Sequence, residues 1–420
     1  MQAVGHKLAF MDVDRFRASP LGHLVPLSGV DGRFKRPFEH VAYVADRLAD
    51  EPPLSAQTWR VVTAAHRALA RLDQASRQVP APHLLRRPAL RREAQSTSAL
   101  EGTFAPLEDV LAADADERAT SKELLEVLNY VRAANLAFDA VTDQGRVTVS
   151  LLEEVHRVLV AGTPSETRDA GRIRSTPVAI GSPTGSVHDA RFVPMPPGTE
   201  LDVAVRDWLS WLNDAPSPRD PLVAAAMAHY QFETLHPFND GNGRIGRLMI
   251  VLQFMRDGLL GQPLLTVSPW FEARRPEYQE HLAAVSATGD WDPWVQFFAA
   301  GIESSSDDTA RRVDRLLAVQ ARYVQLVQDN GGRGVVRDLV DALIGDPIVT
   351  ISMLARMTGR TVPAVSAAVT KLNEWGILGG PIGTYNRQFI ATDVWRAVTA
   401  PVGRVPDADE PLDFEAGATS

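Results

Sequence analysis

The stretch HPFNDGNGRIGR, at residues 236–247, connects two segments with helical sequence patterns. Before it, Asp220 and Pro221 form a favourable helix start, so a helix is predicted over 221–235. After it, apolar residues recur at helical spacing and predict a second helix over 244–258. The connecting loop therefore opens directly onto the N-terminus of a helix.

The residues of this loop suit a phosphate group. Gly241 and Gly243 allow a sharp backbone turn around Asn242 that presents N–H groups, and the following helix adds its positive end. Arg244 and Arg247 are three residues apart on one helical face, so each can hold phosphate oxygens. The segment is therefore predicted to bind an anion.

Two further side chains of the loop supply chemistry. Asp240 is its only carboxylate, and a carboxylate beside phosphates is a natural Mg²⁺ ligand. His236 can accept a proton from an attacking hydroxyl near neutral pH. A glycine turn or a lone histidine is usually structural, but their combination with the two arginines favours a functional site. The set indicates in-line attack on phosphorus.

The same residues resemble the Fic-family motif, His-x-Phe-x-Asp/Glu-Gly-Asn-Gly-Arg-x-x-Arg, at every defined position. The resemblance implies a mainly α-helical protein that transfers AMP from ATP to a Ser, Thr or Tyr hydroxyl of a target protein or of itself. It implies that His236 is the general base and Asp240 the Mg²⁺ ligand. Kinase-type relatives have Lys where Gly243 stands, so this glycine favours AMP transfer. The residues that it assigns to the nucleotide are Gly241, Asn242, Gly243, Arg244, Ile245, Gly246, Arg247 and Arg274.

Two other segments extend the resemblance. Residues 178–197, in which β-prone runs flank GSPTG, resemble the family's flap hairpin, so a target protein is expected to dock by strand addition near Val178–Ile180. Residues 268–278 resemble the helix beside the nucleotide base. There Trp270 and Arg274 stand where the family commonly has Tyr and Asn.

A third segment, TSALEG at residues 97–102, resembles the family's inhibitory motif, Ser/Thr-x-x-x-Glu-Gly/Asn. Thr97 and Glu101 are four residues apart, so they share one face of a helix that can end at Gly102. The resemblance implies that Glu101 pairs with Arg247 and takes the place of the γ-phosphate, which misaligns the nucleotide for transfer.

The remaining sequence predicts the domain order. Residues 1–36 are expected to be irregular and 38–73 to form two helices, followed after several prolines by a helix near 91–100. The C-terminal helices and Gly-rich β-prone stretch resemble a winged helix-turn-helix. The predicted domains are an N-terminal helical region with the inhibitory helix (1–110), a helical Fic core with its β-hairpin flap (111–302), a connecting helix (303–334), a winged-helix-like domain (335–398) and an acidic disordered tail (399–420).

Composition excludes several classes of protein. The 420 residues are 45% hydrophobic and 23% charged, as expected for a chain that buries a sizeable core. The absence of cysteine excludes disulfides, thiolate catalysis and zinc–thiolate sites. No apolar run approaches the roughly 18 residues of a membrane span, and the N-terminus lacks a signal-peptide core, so we expect a cytoplasmic protein without a membrane partner.

Other functions stay open at this level. A winged-helix regulator that binds DNA is the main alternative, although the net charge of −9 argues against it, and the candidate recognition helix, with Lys371 offset by Glu374, has no clear basic stripe. A Fic enzyme can also use another nucleotide, or remove AMP with Glu101 positioning water. The sequence leaves the oligomeric state open, a homodimer included.

Overall fold

A computed structural model describes residues 11–30, 35–77, 82–113, 121–214, 218–383 and 387–404. The helices of these residues are α1 (Val13–Arg17), α2 (Ala56–Arg77), α3 (Pro82–Leu100), α4 (Leu107–Ala112), α5 (Lys122–Gln144), α6 (Val149–Val160), α7 (Thr199–Leu212), α8 (Pro221–Leu235), α9 (Asn242–Arg256), α10 (Ser268–Glu272), α11 (Arg275–Thr288), α12 (Asp292–Asp329), α13 (Val335–Gly345), α14 (Ile351–Thr358), α15 (Val362–Glu374) and α16 (Thr392–Thr399). The strands are β1 (Gly22–Val30), β2 (Pro37–Ala45), β3 (Ile348–Thr350), β4 (Gly379–Ile382) and β5 (Gln388–Ile390).

The chain divides into two units. The first comprises 1–63, 132–257 and 274–300, and the second comprises 64–131, 258–273 and 301–420. None of the helices in the described part of the chain is long and apolar enough to span a membrane. Of the predicted acidic tail (399–420), the part from 405 onward lies outside the described residues, whereas Thr399 ends α16 and the Gly403 N–H donates to Asp308 Oδ1 at 2.8 Å.

Helices α8 and α9 form the centre of the first unit, and both are buried on nearly every side. Two tryptophans reach α8 and satisfy their indole N–H groups on its backbone: Trp208 donates to the Ala228 carbonyl at 3.0 Å and Trp294 to that of Ala226 at 2.9 Å. Large indoles are buried at low cost when their one donor is bonded. Helix α8, from which the loop continues, is therefore anchored by two buried indoles.

The predicted mainly helical fold is confirmed, including the helix over 221–235 and the one that follows the loop. The connecting helix was expected over 303–334. Helix α12 begins earlier, at Asp292, and ends at Asp329. The prediction that prolines break the chain before residue 91 is wrong. Helix α3 begins at Pro82 and continues through Pro88, since almost every side chain from 90 to 100 is buried and this packing outweighs the lost hydrogen bond.

The N-terminal region differs most from the sequence-based expectation. Instead of an irregular segment followed by a helix, β1 and β2 pair antiparallel in a two-stranded sheet, with Gly22 opposite Ala45 and Val30 opposite Pro37. Pro26 indicated a loop, but β1 is an edge strand, where a residue without an N–H is tolerated.

The flap region is less regular than a full hairpin. Ile180 and Phe192 form one antiparallel bridge, and a short 3₁₀ turn covers Val187–Asp189. The two segments therefore approach each other as predicted, but they hold one bridge in place of a ladder.

In the second unit, the C-terminal elements follow the order α13, β3, α14, α15, β4, β5 and α16. The three strands form an antiparallel sheet in the order β3-β5-β4. An apolar cluster that includes Leu339, Leu354 and Leu372 joins α13, α14 and α15. These elements share one core.

A buried ion pair links α3 to the end of α13. Asp346 is fully buried, and its carboxylate oxygens lie 2.9 Å from guanidinium nitrogens of Arg91 and of the half-buried Arg87. Removing one member of such a group leaves the others charged and uncompensated.

We expect Asp346→Ala to lower the free energy of unfolding by about 3–5 kcal/mol, because Arg91 stays buried without its partner. Urea denaturation of the full chain measures this change. Asp338→Ala is the matched control: Asp338 pairs with Arg360 at the surface, and its loss is expected to cost about 1 kcal/mol or less. Equal costs for both variants would contradict the prediction.

Candidate active site

The loop begins with a left-handed residue. His236 ends α8 with φ 50° and ψ 61°, and its N–H donates to the Phe232 carbonyl at 2.9 Å. Arg174 is buried beside it and donates to the carbonyls of His236 at 2.8 Å and Met195 at 2.6 Å. Burial lowers the pKa of Arg174 to about 10, so it remains a cation that holds this turn in place.

The imidazole of His236 has a defined orientation. Its Nδ1 lies 3.2 Å from the Glu233 carbonyl, which can only accept a hydrogen bond. Nδ1 therefore carries the proton, and the basic lone pair is on Nε2. A groove of about 430 Å³ is lined by His236, by Asn239, by the segment 167–169 and by residues of the flap region from Thr176 to Gly185.

The middle of the loop is closed by Asn242. Its carboxamide accepts from the Phe238 N–H at 2.9 Å and donates to the Phe238 carbonyl at 2.8 Å. Gly241 is left-handed at φ +80°, and a side chain there would meet Leu159 Cδ2 at 2.9 Å. The side chain of Asn242 thus fixes the turn, and its backbone begins α9.

The first turn of α9 presents the predicted anion site. Gly241 caps the helix, and Asn242 and Gly243 follow with N–H groups that have no partner within a helix. Arg244 and Arg247 are both almost completely buried on α9. The helix N-terminus and the two guanidinium groups contribute positive charge at this place.

Ile245 and Gly246, which the resemblance assigned to the nucleotide, are buried in α9. A Cβ on Gly246 would lie 2.4 Å from Glu233 Oε1 and 3.1 Å from the Phe232 ring. Gly246 therefore allows α8 and α9 to pack closely.

Asp240 is oriented by the loop around it. Its Oδ1 accepts from the Gly241 N–H at 2.5 Å and lies 3.5 Å from an Arg244 nitrogen, and its Oδ2 accepts from the Ser165 hydroxyl. Burial opposes its ionisation, but Arg244, Ser165 and the Gly241 amide outweigh this, so the pKa of the Asp240 carboxyl lies below its ordinary value. The group is a carboxylate at neutral pH.

This environment fits one Mg²⁺ held through a substrate. Within the described residues, no three His, Cys, Asp or Glu side chains come together as a cage for a metal ion. Mg²⁺ bound with nucleotides commonly takes one or two carboxylates, and phosphate and water oxygens complete its shell. Asp240, ionised and about half exposed, can fill that role.

Two buried histidines that the sequence analysis did not single out support the site by hydrogen bonds to its backbone. His156 on α6 accepts from the Gly171 N–H at 2.9 Å, its Nε2 lies 3.2 Å from the Asp240 carbonyl, and its ring stacks on Phe238 at 4.1 Å. Burial lowers its pKa to about 4, so it stays neutral and its Nε2–H donates to that carbonyl. His156 thus supports the turn at Asp240.

His229 on α8 makes the corresponding link to α9. Its Nδ1–H donates to the Gly246 carbonyl at 3.0 Å, and its Nε2 accepts from the Tyr278 hydroxyl at 2.7 Å. Burial and the positive charge of Arg247 lower its pKa to about 3. A buried histidine is usually structural, and its partners are distant in sequence, so the sequence alone offered no signal for His156 or His229.

The predicted site residues belong to both units of the chain. His236 to Arg247 and the exposed Arg274 belong to the first unit, whereas Thr97, Glu101 and Trp270 belong to the second. Helix α3 ends at Leu100, so Thr97 is buried in the helix and Glu101 lies exposed in the turn after it. The helix thus ends two residues before Gly102, the predicted end.

Comparison with known proteins finds two matching family regions in this chain. Residues 59–139 match the Fic/DOC family N-terminal model and residues 146–254 the Fic/DOC family model. Protein adenylyltransferase fic-1 of Caenorhabditis elegans is 38% identical over 156 residues, which are 37% of this chain and 27% of that protein. Protein adenylyltransferase Fic of Culex quinquefasciatus is 31% identical over 217 residues, which are 50% of this chain and 38% of the other.

The fold has a solved counterpart. A Fic family protein from Desulfovibrio desulfuricans superimposes with a TM-score of 0.51 and 23% identity, over 82% of this chain and 98% of the other. The fold is thus the mainly helical fold of Fic proteins. Residues 59–139 and 146–254 thus carry the N-terminal and the motif-bearing domain of the Fic/DOC type, and the chain spans well under half the length of the two adenylyltransferases it matches.

The buried, neutral His229 makes stability depend on pH. Its pKa is about 3 in the folded protein and near 6.5 in the unfolded chain, so between these values the unfolded state binds the extra proton. Stability is therefore lost as the pH falls from about 6.5 towards 3. Between pH 7 and pH 5, His229 accounts for a loss of about 2 kcal/mol in the free energy of unfolding.

We expect His229→Gln, whose amide can donate to Gly246 and accept from Tyr278, to remove this share of the pH dependence. Urea denaturation at pH 7 and pH 5 measures the difference. His23→Gln, at an exposed position of β1, serves as the control and should keep the slope of the wild type. An unchanged slope in His229→Gln would mean that this histidine is not a source of acid instability.

Proposed function

We propose that this protein transfers AMP from ATP to a Ser, Thr or Tyr hydroxyl of a target protein or of itself. The observation that carries the proposal is the arrangement of residues 236–247. A histidine with its lone pair on Nε2 lines a groove, and the same loop leads into a helix N-terminus that bears two buried arginines. Relatives named as protein adenylyltransferases support the activity.

The reaction assigns a role to each residue. The phosphates of ATP bind at the first turn of α9, where backbone N–H groups, Arg244 and Arg247 balance their charge. The target hydroxyl attacks the α-phosphorus in line, Nε2 of His236 takes its proton, and the bond to the β-phosphate oxygen breaks. Pyrophosphate leaves, and AMP remains on the target oxygen.

Asp240 would hold Mg²⁺ in this scheme. The ion would neutralise charge on the phosphates and on the leaving pyrophosphate. Ser165 and the Gly241 amide keep both carboxylate oxygens of Asp240 in a fixed orientation for this purpose.

The groove beside His236 would receive the target. Its wall contains Val178, Ala179 and Ile180, the segment to which the flap resemblance assigns strand addition. Backbone pairing fixes the register of an extended peptide without reading much of its sequence. The target hydroxyl can thereby be brought in line while many side chains are accepted beside it.

We further propose that Glu101 restrains the enzyme. In this proposal Glu101 pairs with Arg247 when the segment 97–102 docks on the loop, and the γ-phosphate then loses its guanidinium partner. The exposure of Glu101 at the end of α3 is compatible with a residue that engages and releases.

The domain boundaries and the winged-helix identity of 335–398 are part of the same proposal. The order of elements from α13 to α16 supports that identity. Helix α15, the candidate recognition helix, offers Lys371 against Glu374 and so presents no basic stripe, which favours contact with protein over contact with DNA.

The catalytic role of His236 is tested by His236→Ala. Loss of a general base is expected to lower AMP incorporation by about 10²–10⁴-fold and to leave ATP binding intact. Incubation with α-³²P-ATP and Mg²⁺, with calorimetry for nucleotide affinity, separates the two effects. The control is His23→Ala, which should keep the wild-type rate. In a separate measurement, mass spectrometry of the protein after incubation with each nucleoside triphosphate identifies the donor. Full incorporation by His236→Ala would contradict the mechanism.

The restraint is tested by Glu101→Gly. Releasing Arg247 for the γ-phosphate is expected to raise AMP incorporation by about tenfold at saturating ATP. Glu108→Gly, at an exposed acid in the first turn of α4, serves as the control and should leave the rate unchanged. A flat rate in Glu101→Gly would show that Glu101 does not restrain transfer.

A further inference from the structure

The N-terminal hairpin β1–β2 lies directly behind the flap region. The N–H of Tyr43, on β2, donates to the Val193 carbonyl at 2.9 Å, and Tyr43 forms a parallel bridge with Pro194. Farther along, the N–H of Met11 donates to the Ala190 carbonyl at 2.7 Å. The second flap segment is therefore bonded to a part of the chain that precedes the matched family domains.

These bonds create a continuous order of extended segments. β1 pairs with β2, β2 bonds to 193–194, and Phe192 pairs with Ile180 through two hydrogen bonds of 2.9 and 3.3 Å. Ile180 is the last member of this series, and it lines the groove that holds His236. The position of the segment that faces the groove is thus set by strands on its far side.

Side chains reinforce the backbone bonds. The rings of Phe16, Tyr43 and Phe192 lie 5.5–5.8 Å apart in tilted or edge-on contacts. The Tyr43 hydroxyl shares a hydrogen bond with Ser19 at 2.8 Å and lies 3.3 Å from the Ser286 carbonyl on α11. Tyr43 is fully buried, so it ties the flap to both the hairpin and a helix of the same unit.

The sequence around Tyr43 makes room for this contact. A Cβ on Gly22 would lie 2.4 Å from the Val44 carbonyl oxygen and 2.7 Å from the ring and hydroxyl of Tyr43, so only glycine fits beside Tyr43 at this position. Val187, Ala190 and Val193 of the flap region belong to the same buried apolar cluster as Tyr43. The hairpin and the flap therefore share one core.

We infer that the hairpin β1–β2 is a positioning element for target recognition and that Tyr43 is its central positioning residue. It holds the 191–194 segment, and through it Ile180, at the distance from His236 that an added target strand requires. This inference rests on the proposed function. A flap that is not held in register places the target hydroxyl out of line, and small misplacements of a reacting group cost large factors in rate.

The test compares Tyr43→Ala and the milder Tyr43→Leu with Val44→Ala in the full-length protein. Val44 is the next residue on β2, points to the opposite face and lies outside the shared cluster. In both Tyr43 variants the amides of Ile180 and Phe192 are expected to exchange hydrogen about tenfold faster, because their mutual bonds lose support. Unchanged exchange at these amides in a folded Tyr43→Leu protein would overturn the inference.

Activity provides the second measurement. In a Glu101→Gly background, Tyr43→Leu should lower AMP incorporation from α-³²P-ATP about tenfold and change the ATP dissociation constant less than about twofold. Equal loss of nucleotide affinity would show general damage and overturn the positioning role. If the proposed AMP transfer itself fails, no variant incorporates label, whereas faster exchange of the flap amides still appears.

Discussion

The side-chain amide of Asn242 is the contact on which the rest of the site depends. By bonding both backbone groups of Phe238 it closes the loop between α8 and α9 within a few residues. Within this closed loop Gly241 is left-handed and caps α9, whose first N–H groups have no acceptor within the helix. His236 is consequently held at one end of the loop and the arginines at the other, as chemistry at a phosphate requires.

Positive charge accumulates in this part of the protein. Arg174, Arg244 and Arg247 are all buried, and Asp240 is the carboxylate that faces one of them. The neighbouring histidines, His156 and His229, are kept neutral by burial and by these arginines, so they add hydrogen bonds without adding charge. A site of this kind attracts an anion, which supports binding of nucleotide phosphates.

Sequence reasoning failed where local signals pointed away from the tertiary outcome. Gly22, Pro26 and Gly29 are typical of loops, yet they lie in β1, because pairing with β2 and packing under the flap outweigh local preference. Pro88 is a helix breaker, yet α3 passes through it because its side chains are buried. In both cases the deciding contacts join residues distant in the chain.

The sequence by itself determined the loop 236–247, the two helices around it and the chemical types of its residues, because these depend on neighbours along the chain. It also predicted a flap over 178–197 and an inhibitory segment over 97–102. Only the tertiary structure decided that His156, Arg174 and Ser165 support the loop and that Tyr43 backs the flap. Their partners are brought together by burial and long-range hydrogen bonds, for which residue spacing provides no signal.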